Sequence, residues 1–220
     1  FESRSKNRMG LLMWMSHSCW PSMVWQPYDY YFEPTAAYFA IKKASEPLHI
    51  QWNPATDEVE VVNYHAGLRP GLKARVQVLN MDATLAWEKE TTVDSREDTT
   101  EKCIKLEFPD GLSQVHFIKL TLEENGKTVS ENFYHRSKVE NNYQELKQLP
   151  KVSLRTQTQY EKGDDGEWKA EITVENRSQT PALMVRLNIV GDKDDKQFLP
   201  IFYSDNYFAL LPGETKVVHV

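Results

Sequence analysis

The chain of 220 residues contains little cysteine, no long apolar run and no excess of positive charge. Its two cysteines, Cys19 and Cys103, fall in different predicted domains, so we expect two free thiols. No apolar run approaches the ~18–20 residues that cross a bilayer, and the net charge of −6 comes with scattered basic residues. The composition therefore predicts neither a membrane nor a nucleic acid as a partner.

Motifs for cofactors, metals and activated nucleophiles are also missing. The sequence contains no G-x-G-x-x-G, P-loop or G-x-S-x-G motif, and its six histidines are dispersed without metal-ligand spacing. Asp164 and Asp165 lie in an acidic run where a Ca²⁺ site is conceivable, but turn chemistry favours a solvated hairpin. We predict no metal and no cofactor.

The start of the chain lacks both an initiator methionine and a signal peptide, because Phe1 opens the charged stretch FESRSKNR. We therefore expect either a processed chain or a piece of a longer one. The residues themselves indicate no cellular compartment.

Short stretches of alternating apolar and polar residues dominate the sequence after Glu46, and this period is typical of half-buried strands. Seven stretches predict strands, at Leu48–Trp52, Val59–Asn63, Leu72–Val78, Leu85–Thr92, Cys103–Phe108, Val115–Leu122 and Thr128–Arg136. Asn125 and Gly126 predict a tight hairpin between the last two. We predict an immunoglobulin-like β-sandwich over residues 46–137, followed by a polar linker at 138–150.

Alternation resumes over residues 151–220 and predicts a second immunoglobulin-like sandwich. Its expected strands are Val152–Tyr160, Trp168–Asn176, Leu183–Val190, Phe198–Tyr203, Tyr207–Leu211 and Lys216–Val220. A strand ending in asparagine precedes a turn and a leucine-led strand in both regions, at an offset of about 112 residues. At this offset Lys216–Val220 matches Cys103–Phe108. We therefore predict that the second sandwich is truncated, with the counterparts of the last two strands beyond Val220.

The segment Leu11–Tyr31 differs from the rest, since it holds three of the six tryptophans. Leu11–Met15 is a continuous apolar run, which suits a strand buried on both faces of a parallel sheet. Ser16–Pro34 is a long connection, and loops of this length are usually functional. A helix is predicted from about Thr35, because Pro34 can begin a helix and TAAYFAIKKA continues with helix formers.

The stretch from Trp14 to Tyr31, WMSHSCWPSMVWQPYDYY, resembles the eighth barrel strand and following loop of glycoside hydrolase family 2. It is most similar to the β-mannosidase and exo-β-glucosaminidase branch, whose pattern has W-x-L-N-(D/N)-x-W-P followed by W and (Y/I)-D-Y-Y. The matching residues are Trp14, Trp20, Pro21, Ser22, Trp25, Asp29, Tyr30 and Tyr31. KKASEPLHIQ and YSDNYFALLPGE resemble the last barrel helix and the last sandwich of the same branch.

The resemblance implies a mainly β chain: two immunoglobulin-like sandwiches preceded, over residues 1–45, by the last strand and helix of a (β/α)8 barrel. It also implies a retaining, exo-acting hydrolase of β-glycosidic bonds, with its two catalytic carboxylates on the fourth and seventh barrel strands. Neither strand is in this chain. Glu2, Asp29 and Glu33 are poor substitutes, and we expect Asp29 and Glu33 to brace the loop. We predict that the chain contains no catalytic residue and is inactive by itself.

The implied substrate-binding residues are Trp14, His17, Trp20 and Trp25, one wall of a pocket for the non-reducing end of a glycan. Trp20 and Trp25 could equally pack the loop against the next sandwich, and His17 could either bind a sugar hydroxyl or brace the loop. Ser16-His17-Ser18 replaces the family's Leu-Asn-Asp/Asn, so the identity of the sugar cannot be carried over.

The remaining expectations concern partners and the competing function. The resemblance implies the rest of the catalytic barrel as a partner and a periplasmic or secreted location. We expect the isolated chain to form homo-oligomers through its aromatic segment or an open sheet edge. The alternative function is that of a non-catalytic, carbohydrate-binding or structural protein made of tandem sandwiches.

Overall fold

The computed structural model describes residues 11–22, 25–163, 166–191 and 198–220. The chain is mainly β, with antiparallel sheets. It divides into two compact units, one formed by Lys43–Leu149 together with the described residues Leu11 and Leu12, and the other by Met13–Lys42 together with Pro150–Val220.

The first unit contains seven strands where alternation predicts them, except that the fifth begins four residues and ends three residues earlier than predicted, and this confirms an immunoglobulin-like domain here. They are β1 (Leu48–Asn53), β2 (Glu58–Asn63), β3 (Arg69–Asn80), β4 (Leu85–Ser95), β5 (Thr99–Lys105), β6 (Val115–Glu124) and β7 (Lys127–Ser137). The predicted hairpin joins β6 to β7 through Asn125 and Gly126, which both have positive φ. The linker region 138–150 contains a short 3-10 helix at Gln144–Gln148.

Two sheets form the sandwich, with strand orders β1-β2-β5 and β4-β3-β6-β7. Their inward residues are aliphatic because the alternation places every second side chain on one face. Members of this core include Val59, Val76 and Leu120, all fully buried. Side chains of β7 tie the sheets together: the Ile50 N–H donates to Ser130 Oγ (3.2 Å), and Asn132 Nδ2 donates to the Ile50 carbonyl (2.6 Å).

The second unit contains β8 (Arg155–Lys162), β9 (Trp168–Glu175), β10 (Ala182–Val185), β11 (Phe208–Leu210) and β12 (Thr215–His219). Two predicted strands need correction. Phe198–Tyr203 forms no strand, and the stretch Leu183–Val190 is β structure only through β10, apart from an isolated bridge residue at Val190. Side chains replace ladder bonds in this region, since the Ile189 N–H donates to the Tyr203 hydroxyl at 3.1 Å. The alternation of apolar and polar residues does not reveal that a side-chain hydrogen bond takes the place of strand pairing here.

The second unit repeats the topology of the first. Its sheet β8-β9-β12 corresponds to β1-β2-β5, and its pair β10-β11 corresponds to β3-β4. The correspondence of β12 with β5 agrees with the offset read from the sequence. Counterparts of β6 and β7 are not found in the described part of the second unit. The truncation of this sandwich stays a prediction.

The one α-helix of the described residues, α1 (Ala36–Ala44), confirms the predicted helix. Thr35 precedes it, and its Oγ1 accepts the Ala37 N–H at 3.2 Å. Among the described ranges, no helix has the length and apolarity that a bilayer crossing requires. The prediction of a strand over Leu11–Met15 is wrong, since these residues form no strand. A strand of a parallel sheet exists only through pairing with its neighbours, and the described residues offer none.

Candidate functional site

The candidate site is the loop from Ser16 to Pro34, apart from residues 23 and 24. Two isolated bridges shape it, a parallel one between His17 and Tyr28 and an antiparallel one between Tyr28 and Pro34. The Tyr28 N–H donates to the Ser16 carbonyl at 3.0 Å. The loop is therefore folded on itself through its backbone.

The three candidate tryptophans are all exposed. The exposed fractions are 87% for Trp14, 67% for Trp20 and 75% for Trp25. None of them belongs to either hydrophobic core cluster, and no ring contact within the described residues joins two of them. Packing among the described residues thus does not account for three large apolar side chains within and just before this loop.

His17, the fourth candidate, has contacts inside the loop. Its ring lies 5.4 Å from the ring of Phe32, centroid to centroid, and its Nδ1 lies 3.2 Å from Ser16 Oγ. The ring therefore takes part in bracing the loop, which was one of its two expected roles. Its role toward a sugar hydroxyl stays a prediction.

Asp29 and Glu33 brace the loop as expected. Asp29 Oδ1 accepts the N–H groups of Tyr31 (2.8 Å) and Glu33 (2.9 Å), and the Asp29 N–H donates to the Glu33 carbonyl (3.0 Å). The Glu33 carboxylate forms an ion pair with the guanidinium of Arg186. Both acidic side chains are thus engaged structurally, whereas Glu2 lies outside the described residues.

The second sandwich contacts α1 through its segment Tyr203–Phe208. Lys42 Nζ donates to the carbonyls of Tyr203 (3.0 Å) and Ser204 (2.8 Å). The ring of Phe39, which is buried, lies 6.0 Å from the ring of Tyr207. These contacts join α1 to a β domain that begins more than a hundred residues later in the sequence.

The segment Tyr203–Phe208 owes its shape to the buried Asn206. Its Oδ1 accepts the Leu187 N–H at 2.7 Å, and its Nδ2 donates to the Leu187 carbonyl at 3.0 Å. Burial raises the pKa of Tyr203 and of Tyr207 above the ordinary value for a phenol. Arg186, Asn206 and Tyr207 were missed by sequence reasoning. The resemblance of YSDNYF to the family's last sandwich was a signal for Asn206 and Tyr207, whereas no motif pointed to Arg186.

The described residues contain no group of three or more His, Cys, Asp and Glu side chains that could hold a metal ion. Asp164 and Asp165, where a Ca²⁺ site was considered, lie outside the described residues. The chemistry that the described loop offers is therefore stacking by exposed aromatic rings and hydrogen bonding.

Two family profiles match the β domains. Residues 58–139 match the mannosidase Ig/CBM-like domain, and residues 132–220 match the exo-β-D-glucosaminidase Ig-fold domain. The fold and these matches define the class: immunoglobulin-like domains of glycosidases.

Similar proteins cover almost the whole chain. The exo-β-D-glucosaminidase of Streptomyces avermitilis is 33% identical over 98% of this chain, which spans 26% of that relative. The crystal structure of the Amycolatopsis orientalis exo-chitosanase matches 94% of this chain and 27% of its own, with 29% identity and a TM-score of 0.85. The β-D-mannosidase of Dictyoglomus thermophilum, 18% identical with a TM-score of 0.67, shares the fold.

The two β domains belong to the Ig-fold domain families of exo-β-D-glucosaminidases and mannosidases, and the relatives are exo-β-D-glucosaminidases and β-mannosidases, which is consistent with the C-terminal part of a glycoside hydrolase family 2 enzyme. The chain spans about a quarter of the length of the curated relatives that it matches.

Proposed function

We propose that this chain is the C-terminal portion of an exo-acting retaining glycosidase that hydrolyses β-glycosidic bonds. Its sandwiches serve as scaffold, and its loop forms one aromatic wall of the sugar pocket. The catalytic carboxylates belong to the remainder of the barrel. Several relatives carry the name exo-β-D-glucosaminidase, which favours a β-D-glucosaminide as the substrate.

One observation carries this proposal: Trp14, Trp20 and Trp25 are all exposed, Trp14 just before a firmly braced loop and the other two within it. An aromatic ring left bare in a fixed position suits stacking on a sugar ring, because a sugar presents apolar C–H groups on its faces. A flexible loop would bind the sugar more weakly, because it would lose conformational entropy when binding orders it. The bracing by Asp29 and by the Glu33–Arg186 ion pair removes part of that loss.

The test is a panel of aryl-glycosides applied to the full-length protein and to the 220-residue chain. The full-length protein should hydrolyse the β-D-glucosaminide, with the β-D-mannoside and β-D-glucoside as comparison substrates. The isolated chain should hydrolyse none, because the proposal places the pair of carboxyl groups about 5–5.5 Å apart that retention requires in the remainder of the barrel.

Two results would contradict the proposal. Turnover by the isolated chain that Glu33→Gln or Asp29→Asn abolishes would place the chemistry inside this chain. Binding of glucosamine oligomers by a full-length protein without any hydrolysis would favour the alternative, a non-catalytic carbohydrate-binding protein of tandem sandwiches.

A further inference from the structure

We propose that Arg186, a residue of the second sandwich, is a positioning residue for the candidate sugar site and acts through Glu33. This inference rests on the proposed function, since it names the part of the β scaffold that holds the aromatic wall in place. Arg186 follows β10 directly, and its guanidinium forms an ion pair with the Glu33 carboxylate.

Glu33 is the closing residue of the turn formed by residues 29–33. Its N–H and its carbonyl both bond to Asp29, at 2.9 Å and 3.0 Å, and the Phe32 N–H donates to the Asp29 carbonyl at 3.2 Å. Phe32 has a φ of 64°, a left-handed conformation that a phenylalanine adopts only when its surroundings hold it. Fixing Glu33 therefore fixes a turn whose conformation is otherwise unfavourable.

The turn transmits its position to the candidate residues. Phe32 packs on the His17 ring at 5.4 Å, and Pro34 bridges to Tyr28, which in turn bridges to His17. On the other side, Thr35 Oγ1 donates to the carbonyl of Gln26 at 2.6 Å, immediately after Trp25. A displacement at Glu33 thus reaches both ends of the loop through direct contacts.

The ion pair is better suited to positioning than to stabilising the fold. The Arg186 side chain is 44% exposed, whereas that of Glu33 is 18% exposed. Ion pairs with a partner so accessible to water contribute little to global stability. The orientation they impose is local, and a misplacement of about 1 Å in a substrate-positioning group is enough to slow an enzyme strongly.

The anchor, meaning the Arg186–Glu33 ion pair that holds the loop, can be tested without any enzymatic activity. The test is hydrogen exchange on the 220-residue chain. In Arg186→Gln and in Glu33→Gln, the amides of Asp29, Tyr31, Phe32 and Glu33 should exchange about fivefold faster or more, as expected for a lost charge-assisted bond. Arg177→Gln is the matched control, because Arg177 pairs with Glu175 in the same sandwich at 2.8 Å. That variant should leave exchange in the loop unchanged.

The kinetic arm uses the full-length protein and the β-D-glucosaminide. Arg186→Gln should lower kcat/KM by about fivefold or more with an unchanged melting temperature. The double variant Glu33→Arg with Arg186→Glu, which swaps the two charges, should recover part of the loss in kcat/KM. Arg177→Gln should behave as the wild type.

The outcomes separate the two proposals. Wild-type exchange in Arg186→Gln would show that Arg186 does not order the loop. Faster exchange without any change in kcat/KM of an active enzyme would show that this ordering does not position the substrate, and either result overturns the proposal. A full-length protein without glycosidase activity would overturn the proposed function and, with it, the role of Arg186 in catalysis. The hydrogen-exchange experiment would still decide whether Arg186 orders the loop.

Discussion

Asn63 and Asn176 form the same set of hydrogen bonds in the two β domains. Nδ2 of Asn63 donates to the carbonyls of Gly67 (2.7 Å) and Ser95 (3.4 Å). Nδ2 of Asn176 donates to the carbonyls of Thr180 and Leu210, both at 2.9 Å. Each asparagine is buried and ties the turn after β2 or β9 to the end of the corresponding strand, β4 or β11.

Because each amide satisfies two carbonyls, we expect its removal to be costly. Asn63→Ala and Asn176→Ala should each lower the free energy of unfolding of their own domain by about 2–4 kcal/mol, since the variants leave carbonyl groups without partners. Chemical denaturation followed by fluorescence measures the change. Gln159→Ala, at an exposed position on β8, is the control and should stay close to wild type. Equal effects of all three variants would contradict the assigned role of the asparagines.

The same asparagines show how far the sequence predicts this fold. Their recurrence revealed the repeat, and alternation revealed all seven strands of the first sandwich, because each inward residue there packs in a common core. The apolar run Leu11–Met15 gave a wrong prediction of a strand, because strand formation depends on pairing partners and not on local composition alone. Tyr203 was also misassigned, because its hydroxyl bonds across the domain to Ile189 instead of its backbone joining a ladder.

The candidate site was predictable only in part. The loop and its tryptophans follow from the resemblance, and the roles of Asp29 and Glu33 as braces follow from turn chemistry. The Glu33–Arg186 pair joins residues 153 positions apart. No periodicity or motif links such positions, because their proximity depends on how the second unit folds as a whole.

His116 provides a pH-dependent contribution to the first sandwich. It is fully buried, its Nδ1 lies 3.3 Å from the Ser113 carbonyl, and Arg136 Nη1 lies 3.0 Å from its Nε2. Burial lowers the pKa of His116 below its ordinary value of 6.5, and the charges of Arg136 and Lys138 act in the same direction. The folded protein therefore keeps the ring neutral where the unfolded chain already binds a proton.

A depressed folded pKa gives stability that is present above the unfolded pKa and is lost as pH falls toward the folded pKa. We expect the free energy of unfolding of the first sandwich to fall below pH 6.5, and His116→Gln should reduce this slope. Urea titrations at several pH values measure it. His65→Gln is the control, because the His65 side chain is 69% exposed. A slope unaffected by His116→Gln would assign the pH dependence to other groups, such as the partly buried His135.

Trp14 should matter to catalysis more than to folding. In the full-length protein, Trp14→Ala should lower kcat/KM about tenfold or more, because a ring that orients the reacting sugar acts on the transition state. Its exposed position in this chain predicts little change in melting temperature. Steady-state kinetics and thermal unfolding of Trp14→Ala and Trp25→Ala provide the comparison. Unchanged kinetics in Trp14→Ala, together with a severe loss in Trp25→Ala, would place the pocket at the other end of the loop.

The exposed N-terminal residues predict self-association of the isolated chain. Leu12 is 99% exposed and Trp14 87% exposed, and Leu11 beside them is 69% exposed. Apolar surface left in water is unfavourable by about 25 cal/mol per Å², so contact between two copies of this segment is favoured. Light scattering should show a mass that rises with concentration, and the double substitution Leu12→Ser with Trp20→Ser should weaken the effect.

The control for this prediction is Leu68→Ser, which removes from the first sandwich a leucine that is 68% exposed, much as Leu11 is. It should associate as the wild type does if the aromatic segment is the contact surface. Association that survives Leu12→Ser with Trp20→Ser would indicate the other expected route, pairing through an open sheet edge. A chain that stays monomeric at all concentrations would show that neither the exposed segment nor an edge is sufficient to hold two copies together.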